Sequence, residues 1–227
     1  MTYNNGQSAD ASRRAAVVTG AASGIGLAVA RRLARVGLDV LCVDLHDTDD
    51  LPGPFVAADL TTREGNRAAV HAAVDRFGRL DVVVANAGVQ HVAPIEDFDE
   101  DAWDQLIALM LTSPFLLARH AWPALRAAGD ARFVAIASAH ALVGSPYKSA
   151  YVAAKHGVLG LTKTLALEGA QDGIRATAVC PGFVRTPLVE GQLADQARAR
   201  RAGGRRARAG RARAARDQAA HRARGRG

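Results

Sequence analysis

Short runs rich in β-branched residues alternate along the chain with longer segments whose apolar residues recur at helical spacing. The short runs predict six strands: Ala15–Thr19, Asp39–Asp44, Phe55–Ala58, Leu80–Ala85, Arg132–Ala137 and Ile174–Cys180. The intervening segments predict helices, with a break in the third at Pro114 or Pro123: Gly24–Val36, Thr61–Phe77, Asp99–Ala128, Ser149–Gln171 and Leu188–Ala197. Strands that alternate with helices are typical of a parallel sheet with crossover helices. The predicted fold class is therefore α/β, a Rossmann-like doubly wound parallel sheet.

The net charge of +7 for 227 residues is concentrated at one end of the chain. From Arg198 to Gly227 there are 12 arginines and one acidic residue, so this stretch carries +11 and the rest −4. The stretch has no apolar side chain larger than alanine, which predicts a disordered Arg/Ala/Gly-rich tail at 198–227. We also expect a disordered segment at 1–13 and one domain over 14–197. An acidic body argues against a specific nucleic-acid-binding fold, whose basic groups would lie on a folded face.

Cysteine usage and apolar run lengths indicate the compartment. The two cysteines, Cys42 and Cys180, each lie in a predicted strand, which argues against a disulfide framework and fits a reducing environment. The first 14 residues lack the apolar core of a signal peptide, and the apolar stretch Leu106–Ala118 is interrupted by polar residues and Pro114. We expect a cytoplasmic protein with no membrane span, and nothing in the sequence predicts a metal site.

A glycine-rich loop follows the first predicted strand and opens the first helix. Glycines there allow a sharp turn and close approach to a ligand, and free amides at the helix start favour a pyrophosphate. A plain strand-to-helix turn is the alternative, but the flanking strand and helix favour a dinucleotide. The candidate cofactor-binding residues in this loop are Gly20, Ser23, Gly24, Ile25 and Gly26.

Further candidate cofactor contacts follow the second, third and fourth strands. Asp44 lies roughly 20 residues after the loop, where an acid accepts hydrogen bonds from both hydroxyls of an adenosine ribose and disfavours a phosphate, which predicts NAD. Asp44 could instead begin a solvated acidic loop that continues to Asp50. Thr61 fits the helix cap of a capping box, which leaves the Asp59 carboxylate free for an adenine amino group beside Leu60. Small residues follow the fourth strand, although a simple turn explains them nearly as well: Asn86, Ala87 and Gly88.

The residues with the clearest chemistry are Ser138, Tyr151 and Lys155. Ser138 ends the fifth strand, where open α/β sheets bind ligands, and it could hydrogen-bond a substrate oxygen. Tyr151 and Lys155 lie four residues apart on one helix face, so an ammonium there would favour the ionised phenol. Each residue alone is more often structural. Together, downstream of a dinucleotide loop, they predict a catalytic group with Tyr151 as the base.

The elements TGxxxGIG, NAG, Ser, YxxxK and PG over about residues 13–193 resemble the short-chain dehydrogenase/reductase family. Residues 87–95, 136–140 and 145–157 resemble its D-3-hydroxybutyrate dehydrogenase branch more specifically. The resemblance implies NAD-linked interconversion of (R)-3-hydroxybutyrate and acetoacetate in a homotetramer. It also implies further nicotinamide-side contacts, of which Thr186 would bind the carboxamide: Pro181, Gly182, Val184 and Thr186.

The resemblance further implies that four polar residues hold the substrate carboxylate, together with Ser138 and Tyr151 at the substrate oxygen. These four are Gln90, His140, Lys148 and Gln192. They border one crevice in the predicted fold, and a cation with several donors suits a small carboxylate. From the residues alone, Lys148 and Gln192 could equally be surface residues and His140 a loop cap.

The sequence departs from the family pattern in two important ways. Met110 stands where an asparagine usually completes the proton relay, and a thioether cannot donate a hydrogen bond. The usual seventh strand is missing, since Arg, Ala and Gly replace it, which suggests a shifted reading frame near Arg200. Milder departures are Thr177 and Phe183. These features leave two alternatives to an active dehydrogenase: an inactive dinucleotide-binding relative, and a basic-tailed polyanion binder.

Overall fold

The computed structural model describes residues 13–186 and 189–191, together with Arg198 and Arg201. In this part of the chain, six parallel strands form one sheet in the order β3-β2-β1-β4-β5-β6. The strands are β1 Ala15–Thr19, β2 Asp39–Asp44, β3 Phe55–Ala57, β4 Val82–Ala85, β5 Ala131–Ile136 and β6 Ile174–Val179. The prediction of a Rossmann-like doubly wound sheet is confirmed, with strand boundaries within three residues of those expected.

Helices cover both faces of the sheet and bury its side chains. They are α1 Gly24–Arg35, α2 Arg63–Phe77, α3 Glu100–Ile107, α4 Ser113–Ala128 and α5 Ser149–Gly169. Alternate residues of β1 enter two different clusters: Val17 packs with Leu41 and Phe133 on one face, and Val18 packs with Cys42 on the other. A strand buried on both faces has no need of polar alternation, which explains the continuous apolar runs in the sequence.

The long third helix contains an irregular turn that positions Met110. A π-helical turn at Ala108–Thr112 joins α3 to α4. The turn lies immediately before Pro114, one of the two expected break positions, because proline has no N–H to donate to the Met110 carbonyl four residues earlier. The other expected position, Pro123, lies inside an unbroken α4.

Several sequence predictions concern the ends of the chain. Within the helix predicted at 188–197, residues 189–191 are helical, and Gln192 lies outside the described residues. The segments expected to be disordered, 1–13 and 198–227, lie almost wholly outside them too. Over the portion that the structure describes, the sheet ends at β6. No helix in that portion has the length and apolarity needed to cross a membrane.

Candidate active site

The strand order reverses between β1 and β4, and a cleft opens at the carboxyl ends of the strands there. Connections leave β1 and β4 in opposite directions at this point, which separates the loops and creates a crevice. The cleft has a volume of about 640 Å³. Its walls contain most of the residues predicted from sequence: Gly20, Ser23, Gly24, Ile25, Asp44, Asp59, Leu60, Asn86, Ala87, Gly88, Ser138, Tyr151, Lys155, Pro181, Gly182, Val184 and Thr186.

The glycines of the first loop have separate roles. Gly20 has φ of +65°, and a Cβ there would lie 2.8 Å from Asn86 Nδ2 and 2.9 Å from the Ala87 Cα. Gly26 is not a wall residue of the cleft, in contrast to its predicted place among the cofactor contacts. A Cβ at Gly26 would overlap the Gly20 carbonyl, so its lack of a side chain lets α1 pack against the loop.

The loop after β1 is tied to the loop after β4 by a set of hydrogen bonds. Asn86 Nδ2 donates to the carbonyls of Thr19 (2.8 Å) and Gly20 (3.2 Å). Thr19 Oγ1 accepts from the backbone N–H groups of Asn86 (2.9 Å) and Ala87 (3.1 Å). The side chain of Asn86 therefore supports the glycine loop. Thr19, the first residue of the TGxxxGIG element, was missed as a support because a hydroxyl at a strand end is common.

The carboxylate of Asp44 lies at the cleft and is fixed by two backbone donors. Its Oδ2 accepts from Ala22 N (2.9 Å), and its Oδ1 accepts from Leu45 N (2.8 Å). Asp44 is half-buried, whereas Asp47 and Asp50 are exposed. This difference in environment argues against the alternative in which Asp44 merely begins a solvated acidic loop.

The turn after β3 differs from the sequence prediction in its helix cap. Thr62, not Thr61, caps α2, and its side-chain oxygen accepts from Gly65 N (3.0 Å). Thr61 instead donates to Asp59 Oδ1 from its hydroxyl (2.7 Å) and its backbone N–H (2.9 Å). The prediction that Thr61 caps the helix was therefore wrong. These bonds occupy one oxygen of Asp59 and fix the orientation of its carboxylate at the cleft wall.

Ser138, Tyr151 and Lys155 are brought together at the ends of β5 and α5. The Ser138 side chain acts on the Tyr151 phenol and tends to lower its pKa, and Ser138 Oγ accepts from His140 N (3.1 Å). The Lys155 ammonium nitrogen donates to the Ile136 carbonyl (2.7 Å) and lies 5.6 Å from the centroid of the Tyr151 ring. All three residues line the same cleft. The constellation predicted from spacing is thus present as a contiguous group.

Burial, rather than the neighbouring ammonium, dominates the protonation of this group. The pKa of Tyr151 is raised because the phenol is buried, and its hydrogen bond with Ser138 opposes that rise. Burial also lowers the pKa of Lys155 to about 8, so its ammonium persists at neutral pH. The expected depression of the Tyr151 pKa by Lys155 is therefore wrong for the protein alone, because desolvation of the phenolate is the larger effect.

Of the predicted carboxylate-binding residues that the structure describes, His140 contacts Tyr151, whereas Gln90, His140 and Lys148 are not wall residues of the cleft. The ring of His140 packs edge-on against that of Tyr151, with centroids 6.0 Å apart. Lys148 is only 3% exposed, which excludes the alternative of a surface residue. The pKa of His140 is lowered by burial and by the positive charge of Lys148. Gln90 follows Val89, which lines the cleft.

A strained residue precedes Lys148. Tyr147 has φ of +67°, the left-handed region that a tyrosine rarely adopts. Its carbonyl accepts from Ala93 N (3.0 Å), which joins the segment after β4 to the start of α5. This bond brings the chain carrying Gln90 towards the turn carrying Lys148. Sequence spacing could not show it, because the two segments are distant along the chain.

Met110 forms part of the cleft wall near Gly88. It is 1% exposed, and a Cβ built on Gly88 would lie 3.2 Å from its sulfur. The same wall includes residues that sequence reasoning missed: Asp104, Gln105, Ala108 and Leu109. Their place in the cleft depends on how the long helix packs, and no local motif signals it.

Comparison with known proteins places this geometry in a family. Residues 14–197 match the family model described as short chain dehydrogenase. The chain belongs to this family. D-beta-hydroxybutyrate dehydrogenase from Rhizobium meliloti (strain 1021) is 46% identical over 200 residues, which cover 82% of this chain and 78% of the relative. Cis-4-hydroxycyclohexanecarboxylate dehydrogenase from Sinomonas cyclohexanicum is 42% identical over 193 residues, with 80% and 78% covered.

A solved structure of another dehydrogenase has the same fold. Thermoplasma acidophilum aldohexose dehydrogenase in ligand-free form superposes with a TM-score of 0.75 at 32% identity, covering 81% of this chain and 71% of that one. Together these similarities establish an oxidoreductase of the short-chain dehydrogenase family. They also imply a nicotinamide dinucleotide as the cofactor.

The residues of the cleft fit such a dinucleotide. The close packing at Gly20 and Gly26 leaves no room for side chains beneath the start of α1, and so forms a cradle that backbone amides can line. The Asp44 carboxylate stands at the end of β2, where an adenosine ribose is bound in this fold. In the described part of the chain, no cluster of three side chains suits a metal ion.

Proposed function

We propose that this dehydrogenase interconverts (R)-3-hydroxybutyrate and acetoacetate with NAD as the hydride acceptor. The observation that carries the proposal is the buried side chain of Lys148, three residues before Tyr151, together with His140, whose ring contacts Tyr151. A buried cation so near the catalytic residue in the chain suits a small substrate whose carboxylate lies a short distance from its reacting hydroxyl. The names of two relatives, a hydroxybutyrate and a hydroxycyclohexanecarboxylate dehydrogenase, support a substrate that bears both groups.

In the proposed reaction, the chain's own groups bind the alcohol and take its proton. Ser138 holds the substrate oxygen, and the Tyr151 phenolate accepts the hydroxyl proton as the carbonyl forms. NAD, when bound, accepts the hydride that leaves the carbinol carbon. Lys155 would hold the nicotinamide ribose, and its ammonium, 5.6 Å from the Tyr151 ring centroid, would favour the phenolate and so oppose the effect of burial. Lys148, His140, Gln90 and Gln192 are proposed to hold the carboxylate.

The substrate proposal is tested by initial rates with NAD and a panel of alcohols. We expect (R)-3-hydroxybutyrate to have a higher kcat/KM than its S enantiomer, than cis-4-hydroxycyclohexanecarboxylate and than methyl 3-hydroxybutyrate. Methyl esterification removes the charge that Lys148 would bind while keeping the reacting carbon. Equal kcat/KM for acid and ester would contradict the proposed carboxylate site. A higher kcat/KM for the cyclic acid than for (R)-3-hydroxybutyrate would support the carboxylate site but contradict (R)-3-hydroxybutyrate as the substrate.

The cofactor proposal predicts tighter binding of NADH than of NADPH. The Asp44 carboxylate would face the 2′-phosphate, and no lysine or arginine lies between Gly20 and Gly26 to compensate. We expect the two dissociation constants to differ by about 100-fold, the scale of one uncompensated charge contact. Asp44→Ala should narrow this ratio, and Asp50→Ala, on the exposed part of the same loop, should leave it unchanged. Equal dissociation constants in the wild type would contradict NAD specificity.

The proposal includes a cytoplasmic homotetramer, as the resemblance to the hydroxybutyrate branch implies. Apolar side chains on the outer surfaces of two helices support self-association: Phe115 on α4 is 43% exposed, and Leu167 on α5 is 81% exposed. Exposed large apolar groups of this kind are typical of the buried centre of an interface between subunits.

A second candidate function is that of a dinucleotide-binding protein without turnover. Met110 favours it, because a buried thioether beside Gly88 replaces the polar group that would help hold a relay water. The rate panel separates the two candidates. NADH binding with no NADH production from any alcohol would support the second candidate, and turnover of a hydroxy acid would exclude it.

A further inference from the structure

The side chain of Asn66 is fully buried and makes three hydrogen bonds. Its Nδ2 donates to the carbonyls of Leu60 (2.8 Å) and Thr62 (2.6 Å). Its Oδ1 accepts from the hydroxyl of Ser113 (2.7 Å), which is itself 1% exposed. Both amide hydrogens of Asn66 and its oxygen are therefore engaged.

Together these bonds connect the turn after β3, which lines the cofactor cleft, to the start of α4. Leu60 lies on one wall, between Asp59 and Thr61, which also line it. Ser113 begins α4 directly after the π-helical turn, whose Met110 also lines the cleft. A single amide thus fixes the turn that carries Asp59 and ties that turn to α4.

We propose that Asn66 is a positioning residue for the adenine end of the dinucleotide. It acts through the Leu60 carbonyl, which sets the height of the Asp59 carboxylate, and through Ser113, which sets the spacing between this turn and α4. Helix α2 is also held against the turn at Gly65, where a Cβ would overlap the Asp59 carbonyl. The inference rests on the proposed function, with NAD as the cofactor, and on the sequence prediction that Asp59 accepts from its adenine amino group.

A purely structural role would have a different signature. Loss of three buried hydrogen bonds destabilises any core, so a lower melting temperature alone says nothing about positioning. Val70, one turn further along α2 and 1% exposed, provides a matched control. Val70→Ala removes buried volume from the same helix, at a position that does not line the cleft.

The test compares dissociation constants, which do not depend on turnover. NADH and its analogue with hypoxanthine in place of adenine are titrated against the full chain by calorimetry, since the analogue lacks the amino group that Asp59 would bind. The wild type should prefer NADH. Asn66→Ala should raise the dissociation constant of NADH about tenfold, the scale of one or two buried hydrogen bonds. It should also reduce the preference for NADH over the analogue. Val70→Ala should lower the melting temperature but leave the NADH dissociation constant and the preference for NADH unchanged.

Substitutions at Ser113 keep the test decisive if Asn66→Ala does not fold. Ser113→Ala should reduce the preference for NADH in the same direction, and Ser113→Thr, which keeps the hydroxyl, should restore it. An unchanged NADH preference in both alanine variants, or an equal loss in Val70→Ala, would overturn the proposal. A wild type that binds NADH and the analogue equally would also overturn the proposal. The proposed reaction has its own test, which is NADH production from the alcohol.

Discussion

Replacing Tyr151 by phenylalanine is expected to abolish turnover while leaving NADH binding nearly unchanged. The phenolic oxygen is the proposed base, and the half-buried Tyr151 lines the cleft together with Ser138. Phenylalanine keeps the ring that packs against His140 but has no group to accept the proton. We expect kcat to fall by about 10³-fold or more, with the dissociation constant of NADH within about twofold of the wild type. Steady-state rates and NADH titration measure the two quantities.

Tyr147→Phe provides the matched control for this substitution. This substitution removes the phenolic hydroxyl of a tyrosine four residues before Tyr151. The left-handed backbone at residue 147 should be retained, because the side chain is otherwise unchanged. We expect this variant to keep wild-type turnover. Substantial turnover in Tyr151→Phe would show that another group removes the proton.

Replacing Lys148 by methionine should cost the protein its preference for a charged substrate. The ammonium is buried, so a carboxylate paired with it would be shielded from water. Removing one partner of a buried charge pair typically costs about 2–5 kcal/mol, which corresponds to a loss of about 30-fold or more in kcat/KM for (R)-3-hydroxybutyrate. The methyl ester carries no charge, so its kcat/KM should change little. The ratio of the two kcat/KM values is the measurement.

Lys163→Met, an exposed lysine on the same helix, is the control for loss of positive charge alone. Its acid-to-ester ratio should equal that of the wild type. If Lys148→Met instead lowered kcat/KM for acid and ester by the same factor, Lys148 would support the local fold rather than bind the carboxylate.

The sheet and its helices were predictable because their signals are local. The alternation of apolar runs with helical periodicity locates β1 to β6, and parallel strands buried on both faces leave little ambiguity in those runs. The reversal of strand order between β1 and β4 follows from the fold class. The same reasoning placed Gly20, Asp44 and Tyr151 at one cleft, because each follows the carboxyl end of a strand or begins the helix beside it.

Other features of the site depend on tertiary packing and have no local signal. The raised pKa of Tyr151 results from burial by distant segments, whereas the spacing to Lys155 alone suggests the opposite direction. Thr62 caps α2 in place of the predicted Thr61, because the Thr61 hydroxyl donates to Asp59. Asn66 has no distinguishing sequence context within a polar helix start. Its role emerges only when Ser113, distant in the chain, packs against it.

The most direct test of the account is the reaction of purified protein with NAD and (R)-3-hydroxybutyrate, with NADH followed by absorbance and acetoacetate assayed in the same samples. The account predicts equal amounts of NADH and acetoacetate, formed by the wild type and not by Tyr151→Phe. A wild type that binds NADH yet forms neither product from this alcohol would contradict the proposed function.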